Sequence, residues 1–251
     1  MSADRIDAWA CKVVRTKPED SRPDATNATS SPLVYVIDSL EHPFCSEGLV
    51  SLAQRLAVDI AIVPIAHWGD ALTPWPAAGL YRGERDFGGQ GATTLERLVN
   101  EVAPAIEAAE GLRPASRAVC GYSLGGLFAL YALTHGDFFE ACACLSGSVW
   151  YEGWVEHLRA MDVDLTGRYA FLSLGTKERR AARPILKTVQ DRMEQCADVL
   201  RARGCQVEYR LGPGNHMQHI SERLEAGLVA LDGFLTRREC SRRVSHTSCD
   251  V

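Results

Sequence analysis

The segment 119–130, Val-Cys-Gly-Tyr-Ser-Leu-Gly-Gly-Leu-Phe-Ala-Leu, contains the pattern G-x-S-x-G around Ser123. A short buried strand is predicted before the serine (117–120) and an apolar helix after it (127–133). A turn this sharp needs glycine at 121 and 125, because a Cβ atom would collide there. It lifts the Ser123 hydroxyl above the sheet and brings the backbone N–H of Leu124 beside it. The segment therefore predicts a nucleophile elbow; the alternative is a glycine-rich turn that only caps a helix.

A serine hydroxyl is a poor nucleophile at neutral pH and needs a base, an orienting acid and donors for an oxyanion. His216 lies in a loop after the last predicted strand, between Gly-Pro-Gly-Asn and a helix, and is the predicted base. The alternative is that it is a surface loop histidine. His219 competes for the role, but it falls at the start of the helix, where a solvated side chain is expected.

Glu178 is the predicted acid, because it directly follows a strand and precedes His216. This satisfies the order serine, acid, histidine that α/β-hydrolases follow along the chain. Its neighbours at 177, 179 and 180 are charged, so the alternative places Glu178 in a solvated charge run. The oxyanion donors are predicted to be the backbone N–H groups of Leu124 and, in the loop after strand 33–37, of Leu40.

Strand-like and helix-like segments alternate along the chain. Strands are predicted at 7–15, 33–37, 59–65, 117–120, 141–145, 169–174 and 206–211, and helices at 48–56, 93–109 (bent at Pro104), 127–133, 184–203 and 221–235. Continuous apolar strands separated by helices predict an α/β fold, with a mostly parallel central sheet and helices on both faces. We expect one domain over 1–251, with a polar loop at 17–31 and a frayed tail at 236–251. Chemistry should collect at the carboxyl ends of the strands.

The composition is that of an ordinary globular protein, with 251 residues, 46% hydrophobic and 24% charged residues. A net charge of -5 favours neither nucleic acid nor an anionic membrane as a partner. The first seven residues do not read as a signal peptide, and no apolar stretch approaches the roughly 20 residues of a membrane span. The nine cysteines are odd in number, and Cys142 and Cys144 fall in a predicted buried strand. We expect reduced thiols, a cytoplasmic location, no metal and no cofactor.

Several segments together resemble the α/β-hydrolase "putative esterase" family, which includes esterase D, siderophore esterases and the antigen 85 mycolyltransferases. The resemblance covers roughly 33–234, and its pieces are Val34–Asp38, Gly121–Gly126, Leu145–Trp150, Ser173–Glu178 and Pro213–His216. The segment Trp68–Ala77 is similar to a small bacterial branch of the family. The resemblance implies Ser123 as nucleophile, His216 as base, Glu178 as acid, and Leu124 and Leu40 as oxyanion donors. The family often has glycine where this chain has Ser39.

The predicted activity is hydrolysis of a small-molecule carboxylic ester through an acyl-enzyme on Ser123. Two alternatives stay open: an acyltransferase that uses the same residues, and a non-catalytic binding protein on a hydrolase scaffold. Aromatic residues in the loops nearest the site, Trp68, Trp75, Trp150 and Tyr151, are predicted to contact an aromatic or apolar group of the ligand. They could instead pack the loops. The sequence does not predict which oligomeric state the protein adopts.

Overall fold

A seven-stranded sheet forms the centre of the part of the chain that the computed structural model describes, residues 11–15, 31–45 and 48–247. Its strands are β1 (Lys12–Val14), β2 (Leu33–Ser39), β3 (Asp59–Ile65), β6 (Arg117–Tyr122), β7 (Ala141–Leu145), β8 (Tyr169–Gly175) and β9 (Gln206–Gly212). They lie in the order β1-β3-β2-β6-β7-β8-β9. Only the β1–β3 pair is antiparallel, at one edge of the sheet. This confirms the predicted α/β class with a mostly parallel sheet.

Helices cover both faces of this sheet, and each face has its own apolar core. The helices are α1 (Gly48–Ala53), α2 (Trp68–Ala71), α3 (Gly91–Arg97), α4 (Ala103–Ala109), α5 (Leu124–Thr134), α6 (Trp154–Ala160), α7 (Pro184–Lys187), α8 (Val189–Ala202) and α9 (Ile220–Thr247). Every residue of α5 is buried, because this helix lies against the middle of the sheet and is covered by its neighbours. The continuous apolar strands are explained in the same way, since both of their faces are covered.

The structure corrects several predicted element boundaries. Helix α1 ends at Ala53 and not at 56. The long connection 66–91 contains α2 and a small hairpin of β4 (Pro76–Ala77) and β5 (Phe87–Gly88). The bend predicted at Pro104 is preceded by a π-helical segment, Leu98–Val102, between α3 and α4. Such a segment accommodates the carbonyl that a proline in a helix leaves without its usual donor.

The predicted frayed tail is wrong for 236–247, because α9 continues through Thr247. Leu224, Leu228, Leu231 and Leu235 recur every three or four residues and pack into one core. Beyond this stripe, Arg238 forms an ion pair with Glu140 at 2.7 Å and donates to the carbonyl of Gly167. These contacts hold the next turn of the helix against the sheet. Residues 248–251, most of the predicted polar loop and the first part of the predicted edge strand lie outside the described residues.

The thiols of Cys120, Cys142 and Cys144 are free and fully buried in β6 and β7, so they serve as small apolar side chains of the core. Within the described residues, no helix has both the length and the apolar content that a membrane crossing needs.

A partly buried polar cluster joins α4 to the start of the central strands. Arg117 donates two hydrogen bonds to the carboxylate of Glu107, at 2.7 and 2.8 Å, and the hydroxyl of Tyr35 donates a third at 2.6 Å. Burial by itself would raise the pKa of Glu107, but these donors lower it below its usual value. Glu107 therefore stabilises the fold as a carboxylate.

We predict that Glu107→Gln lowers the melting temperature at pH 7. The difference in melting temperature between the variant and the wild type should decrease as the pH is lowered. The folded pKa lies below the unfolded one, so the stabilisation is complete above the unfolded pKa, about 4.3, and disappears as pH falls through the folded pKa. Thermal unfolding between pH 7 and pH 3 measures this. The control is Glu101→Gln, because Glu101 is exposed and 3.9 Å from Arg97, and it should show little effect. A difference for Glu107→Gln that does not change with pH would contradict the assignment.

Candidate active site

Three loops meet at the carboxyl edge of the sheet because the register of its strands aligns their ends. Tyr122 of β6 pairs with Leu145 of β7, which pairs with Ser173 of β8, and the ends of β8 and β9 pair at Gly175 and Gly212. The three predicted catalytic residues follow β6, β8 and β9 within a few residues. This register brings them together although they are far apart in sequence.

Ser123 lies on a strained turn between β6 and α5. Its backbone has φ 57° and ψ −121°, a region that residues with a side chain rarely occupy. The turn also leaves no space at Gly121, where a Cβ atom would lie 2.2 Å from the carbonyl oxygen of Gly125. The N–H of Ser123 donates to the carbonyl of Leu145 at 3.0 Å, which fixes the turn to the neighbouring strand. This is the geometry expected of a nucleophile elbow.

Ser123, His216 and Glu178 form a continuous chain of hydrogen bonds. The Nδ1 atom of His216 is 2.9 Å from Glu178 Oε2, and its Nε2 atom is 3.1 Å from Ser123 Oγ. An ionised carboxylate only accepts hydrogen bonds, so Nδ1 carries the proton and Nε2 is left to accept from the serine hydroxyl. The competing His219 instead pairs with Glu222 at 3.0 Å near the start of α9.

Glu178 is buried, in contrast to its charged neighbours at 177, 179 and 180, which are exposed. Its side chain is 4% exposed, and its Oε1 atom accepts from the Gly175 N–H at 2.8 Å and from the Ser146 hydroxyl at 2.7 Å. Burial would raise the pKa of Glu178, but His216, the Gly175 N–H and Ser146 together lower it. The alternative of a solvated charge run therefore does not describe this glutamate.

Only one of the two predicted oxyanion donors is available. The N–H of Leu124 belongs to the first turn of α5, where N–H groups have no acceptor within the helix and the helix dipole is positive. The N–H of Leu40 instead donates to the carbonyl of Ile65 at 3.0 Å, and its side chain is 56% exposed. The prediction for Leu40 is therefore wrong for this arrangement, because the end of β2 continues its pairing towards β3.

Asp38 holds the loop after β2 in place. Its carboxylate accepts from the N–H groups of Ser39 at 2.9 Å, Phe44 at 2.7 Å and Cys45 at 3.2 Å. An aspartate that accepts from the backbone further along the chain is a common device for ordering a turn. The conformation of this loop therefore depends on Asp38.

Trp68 lies close to the elbow. A Cβ atom added to Gly125 would lie 3.1 Å from the ring of Trp68, and the ring centroids of Trp68 and Phe44 are 5.7 Å apart. On the loop after β7, Trp150 contacts Phe87 with centroids 6.3 Å apart. Trp68 and Trp150 are both partly exposed, so their predicted contact with substrate stays a prediction that this arrangement allows.

Tyr151 and Trp75 hold two loops to each other. The hydroxyl of Tyr151 donates to the carbonyl of Trp75 at 2.5 Å, and the indole N–H of Trp75 donates to the carbonyl of Glu152 at 3.0 Å. Tyr151 is only 2% exposed. The predicted substrate contact is therefore wrong for Tyr151, whose side chain packs between the loops. The indole N–H of Trp75 takes part in the same contact between the two loops.

Two residues near the triad were not predicted from the sequence. The Ser148 hydroxyl is 3.4 Å from Ser123 Oγ, and its N–H donates to the carbonyl of Ser123 at 3.0 Å. The side chain of Arg223 is 5% exposed and contacts the loop that carries His216. The polar run directly after β7 could have indicated Ser148. Nothing in the sequence indicated a role for Arg223, since a single arginine in the first turn of a helix is common.

Comparison with known proteins identifies the family of this chain. The "Putative esterase" family matches residues 9–219 of the chain. The chain belongs to this family. One relative of this esterase-family chain is YbbA of Bacillus subtilis (strain 168), described as an uncharacterized protein. The two are 32% identical over 193 residues, which cover 72% of this chain and 75% of YbbA.

Two solved structures share the fold of this member of the "Putative esterase" family. An IroE-like serine hydrolase from Shewanella oneidensis has a TM-score of 0.67 and 21% identity, over 81% of this chain and 71% of that one. The siderophore hydrolase EstB from Aspergillus nidulans has a TM-score of 0.64 and 18% identity, over 85% and 86% of the two chains. The fold is therefore the α/β-hydrolase fold, as predicted.

We predict that Gly121→Ala destabilises the protein by at least about 4 kcal/mol, because its methyl group would lie 2.2 Å from a backbone oxygen that cannot move away. Urea unfolding followed by circular dichroism measures the change. The matched control is Gly212→Ala in β9, where no heavy atom lies within 4 Å of the added Cβ, and it should cost less than about 1 kcal/mol. Equal effects for the two variants would show that the elbow tolerates a side chain at 121.

Proposed function

We propose that this protein is a serine esterase that hydrolyses a small-molecule carboxylic ester through an acyl-enzyme on Ser123. The observation that carries the proposal is the hydrogen-bonded chain from Ser123 through His216 to Glu178, with distances of 3.1 and 2.9 Å. It begins at a serine in the strained conformation of an elbow. Membership of the "Putative esterase" family supports the same reaction class.

The residues divide the reaction between them. Nε2 of His216 removes the proton from Ser123 as its oxygen attacks the ester carbonyl, and the new imidazolium is stabilised by the Glu178 carboxylate. The tetrahedral oxyanion lies beside the Leu124 N–H at the positive end of α5. His216 then donates its proton to the leaving alcohol. In the second half, His216 takes a proton from a water molecule that attacks the acyl carbon. The bond from that carbon to Ser123 Oγ then breaks, His216 returns the proton to Ser123, and the carboxylic acid leaves.

The base of the proposed reaction is accessible to water. The His216 side chain is 38% exposed. The partly exposed rings of Trp68 and Trp150 favour an ester with an aromatic or apolar group. The structural neighbour EstB is named as a siderophore hydrolase, so siderophore esters are a suitable class to assay beside simple acyl esters.

We predict that Ser123→Ala abolishes labelling by a fluorophosphonate probe and reduces hydrolysis of p-nitrophenyl acetate by about 10⁴ or more. His216→Ala should be about as severe, because the serine and the histidine act as one unit. His219→Ala is the control, because this residue pairs with Glu222 and not with Ser123. It should keep most of the activity.

Labelling that persists in Ser123→Ala would contradict the assignment of the nucleophile, and a larger loss in His219→Ala than in His216→Ala would contradict that of the base. An added alcohol acceptor distinguishes hydrolysis from transfer. Ester formation that exceeds release of the free acid would replace the esterase proposal with acyl transfer.

We predict that Glu178→Gln lowers turnover at least a hundredfold and also lowers the melting temperature, because the carboxylate that balances the buried Arg223 is lost. The amide is nearly isosteric, but it loses the charge that fixes the His216 tautomer and stabilises the imidazolium, and such losses cost about 10²–10⁴. Steady-state kinetics beside thermal unfolding measures both quantities. Glu222→Gln is the matched control, because Glu222 is exposed and pairs with His219 and not with His216. A loss below about tenfold in Glu178→Gln would favour a serine–histidine dyad.

A further inference from the structure

Arg223, in the first turns of α9, makes an unusual set of contacts for a buried arginine. Its Nη1 atom donates to the carbonyls of Asn215 at 3.2 Å and Gln218 at 2.8 Å, and its Nη2 atom donates to the carbonyl of Pro213 at 2.7 Å. All three acceptors belong to the six-residue segment 213–218, which carries His216. The side chain is 5% exposed, so solvent does not compete for these bonds.

A second path joins Arg223 to the peptide of His216 itself. Nη1 donates to the hydroxyl of Tyr122 at 2.8 Å, and that hydroxyl donates to the carbonyl of His216 at 2.6 Å. Tyr122 directly precedes Ser123 in the chain. The guanidinium therefore connects the end of β6, where the nucleophile begins, to the backbone of the predicted base.

The acid of the triad lies beside the same guanidinium. Nη1 of Arg223 is 3.9 Å from Glu178 Oε1, and both side chains are almost fully buried. The neighbouring backbone leaves room for this arrangement, because a Cβ atom at Gly175 would lie 2.4 Å from Nη2 of Arg223. An arginine suits this position better than a lysine, since its planar fork of donors can reach several carbonyls at once.

We propose that Arg223 is a positioning residue: it holds the segment 213–218 so that the His216 imidazole lies between Ser123 and Glu178. The inference rests on the proposed function only for its expected effect on kcat. The position of His216 that it concerns does not depend on the substrate. A role in stability alone does not explain why these hydrogen bonds converge on one six-residue loop and on the residue before the nucleophile.

The kinetic experiment compares Arg223→Met and Arg223→Lys with the wild type. A small displacement of His216 should affect the chemical step and not substrate binding, so kcat should fall by about 10²-fold while KM changes by less than about threefold. Lysine keeps the charge but not the fork, and Arg223→Lys should therefore remain close to Arg223→Met. Full recovery in the lysine variant would overturn positioning, because charge balance with Glu178 would then be the whole role.

The matched control is Arg238→Met on the same helix. Arg238 also forms an ion pair and a backbone hydrogen bond, but its partners are Glu140 and Gly167, which lie away from the triad. This variant should have a lower melting temperature and an unchanged kcat. If Arg223→Met behaves in the same way, the proposal is overturned.

A spectroscopic measurement separates this inference from the proposed function. The downfield proton resonance of His216 Nδ1–H, assigned by its absence in His216→Ala, should be present in the wild type and in Arg238→Met and lost in Arg223→Met. Its loss supports positioning even if the protein hydrolyses no ester. Its persistence in Arg223→Met, with kcat unchanged, overturns positioning without affecting the esterase proposal.

Tyr122→Phe keeps the test decisive if Arg223→Met does not fold. This change removes only the hydroxyl that connects Arg223 to the His216 carbonyl and keeps the ring in place. A fall in kcat of about tenfold with a near-normal melting temperature supports positioning. An unchanged kcat in Tyr122→Phe overturns it.

Discussion

The strained turn at Ser123 is the constraint on which the rest of the site depends. Holding a residue with a side chain at φ 57° costs about 1–3 kcal/mol, so the surroundings must impose this conformation. The Ser123 N–H is bonded to β7, and its carbonyl accepts from the N–H of Ser148. The buried helix α5 fixes the other side of the turn. The turn therefore holds the Ser123 hydroxyl within hydrogen-bond distance of His216, in the loop after β9.

Buried charges at the carboxyl edge compensate one another. Glu178 loses its hydration but gains three donors and a nearby guanidinium, and burial of a carboxylate is tolerable only with such partners. Arg223 in turn has its charge balanced by Glu178, and its Nη1 and Nη2 atoms donate to loop carbonyls. Each of these groups makes the burial of the other possible. Both α9 and the loop that carries His216 are held to the sheet by this shared cluster.

The loops on the other side of the nucleophile are held mainly by aromatic packing. Trp75 stacks on Trp154 with ring centroids 6.4 Å apart and packs against Tyr151 at 6.0 Å. Phe87 lies between Tyr151 and Trp150, at 5.4 and 6.3 Å. The inner rings of this group stabilise the loops, while Trp150 at its margin is partly exposed. Trp68 is also partly exposed, and its ring packs on Phe44.

By itself, the sequence determined the α/β class, the strand order along the chain and the elbow around Ser123, because these depend on local periodicity and on glycines at fixed spacing. It also indicated His216 and Glu178 through their places after strands. Only the tertiary structure decided that Glu178 is buried apart from its charged neighbours, that the Leu40 N–H is occupied by Ile65, and that Tyr151 packs inside. It alone revealed Arg223, because donation to irregular loop carbonyls and to Tyr122, about a hundred residues earlier, leaves no pattern in the sequence.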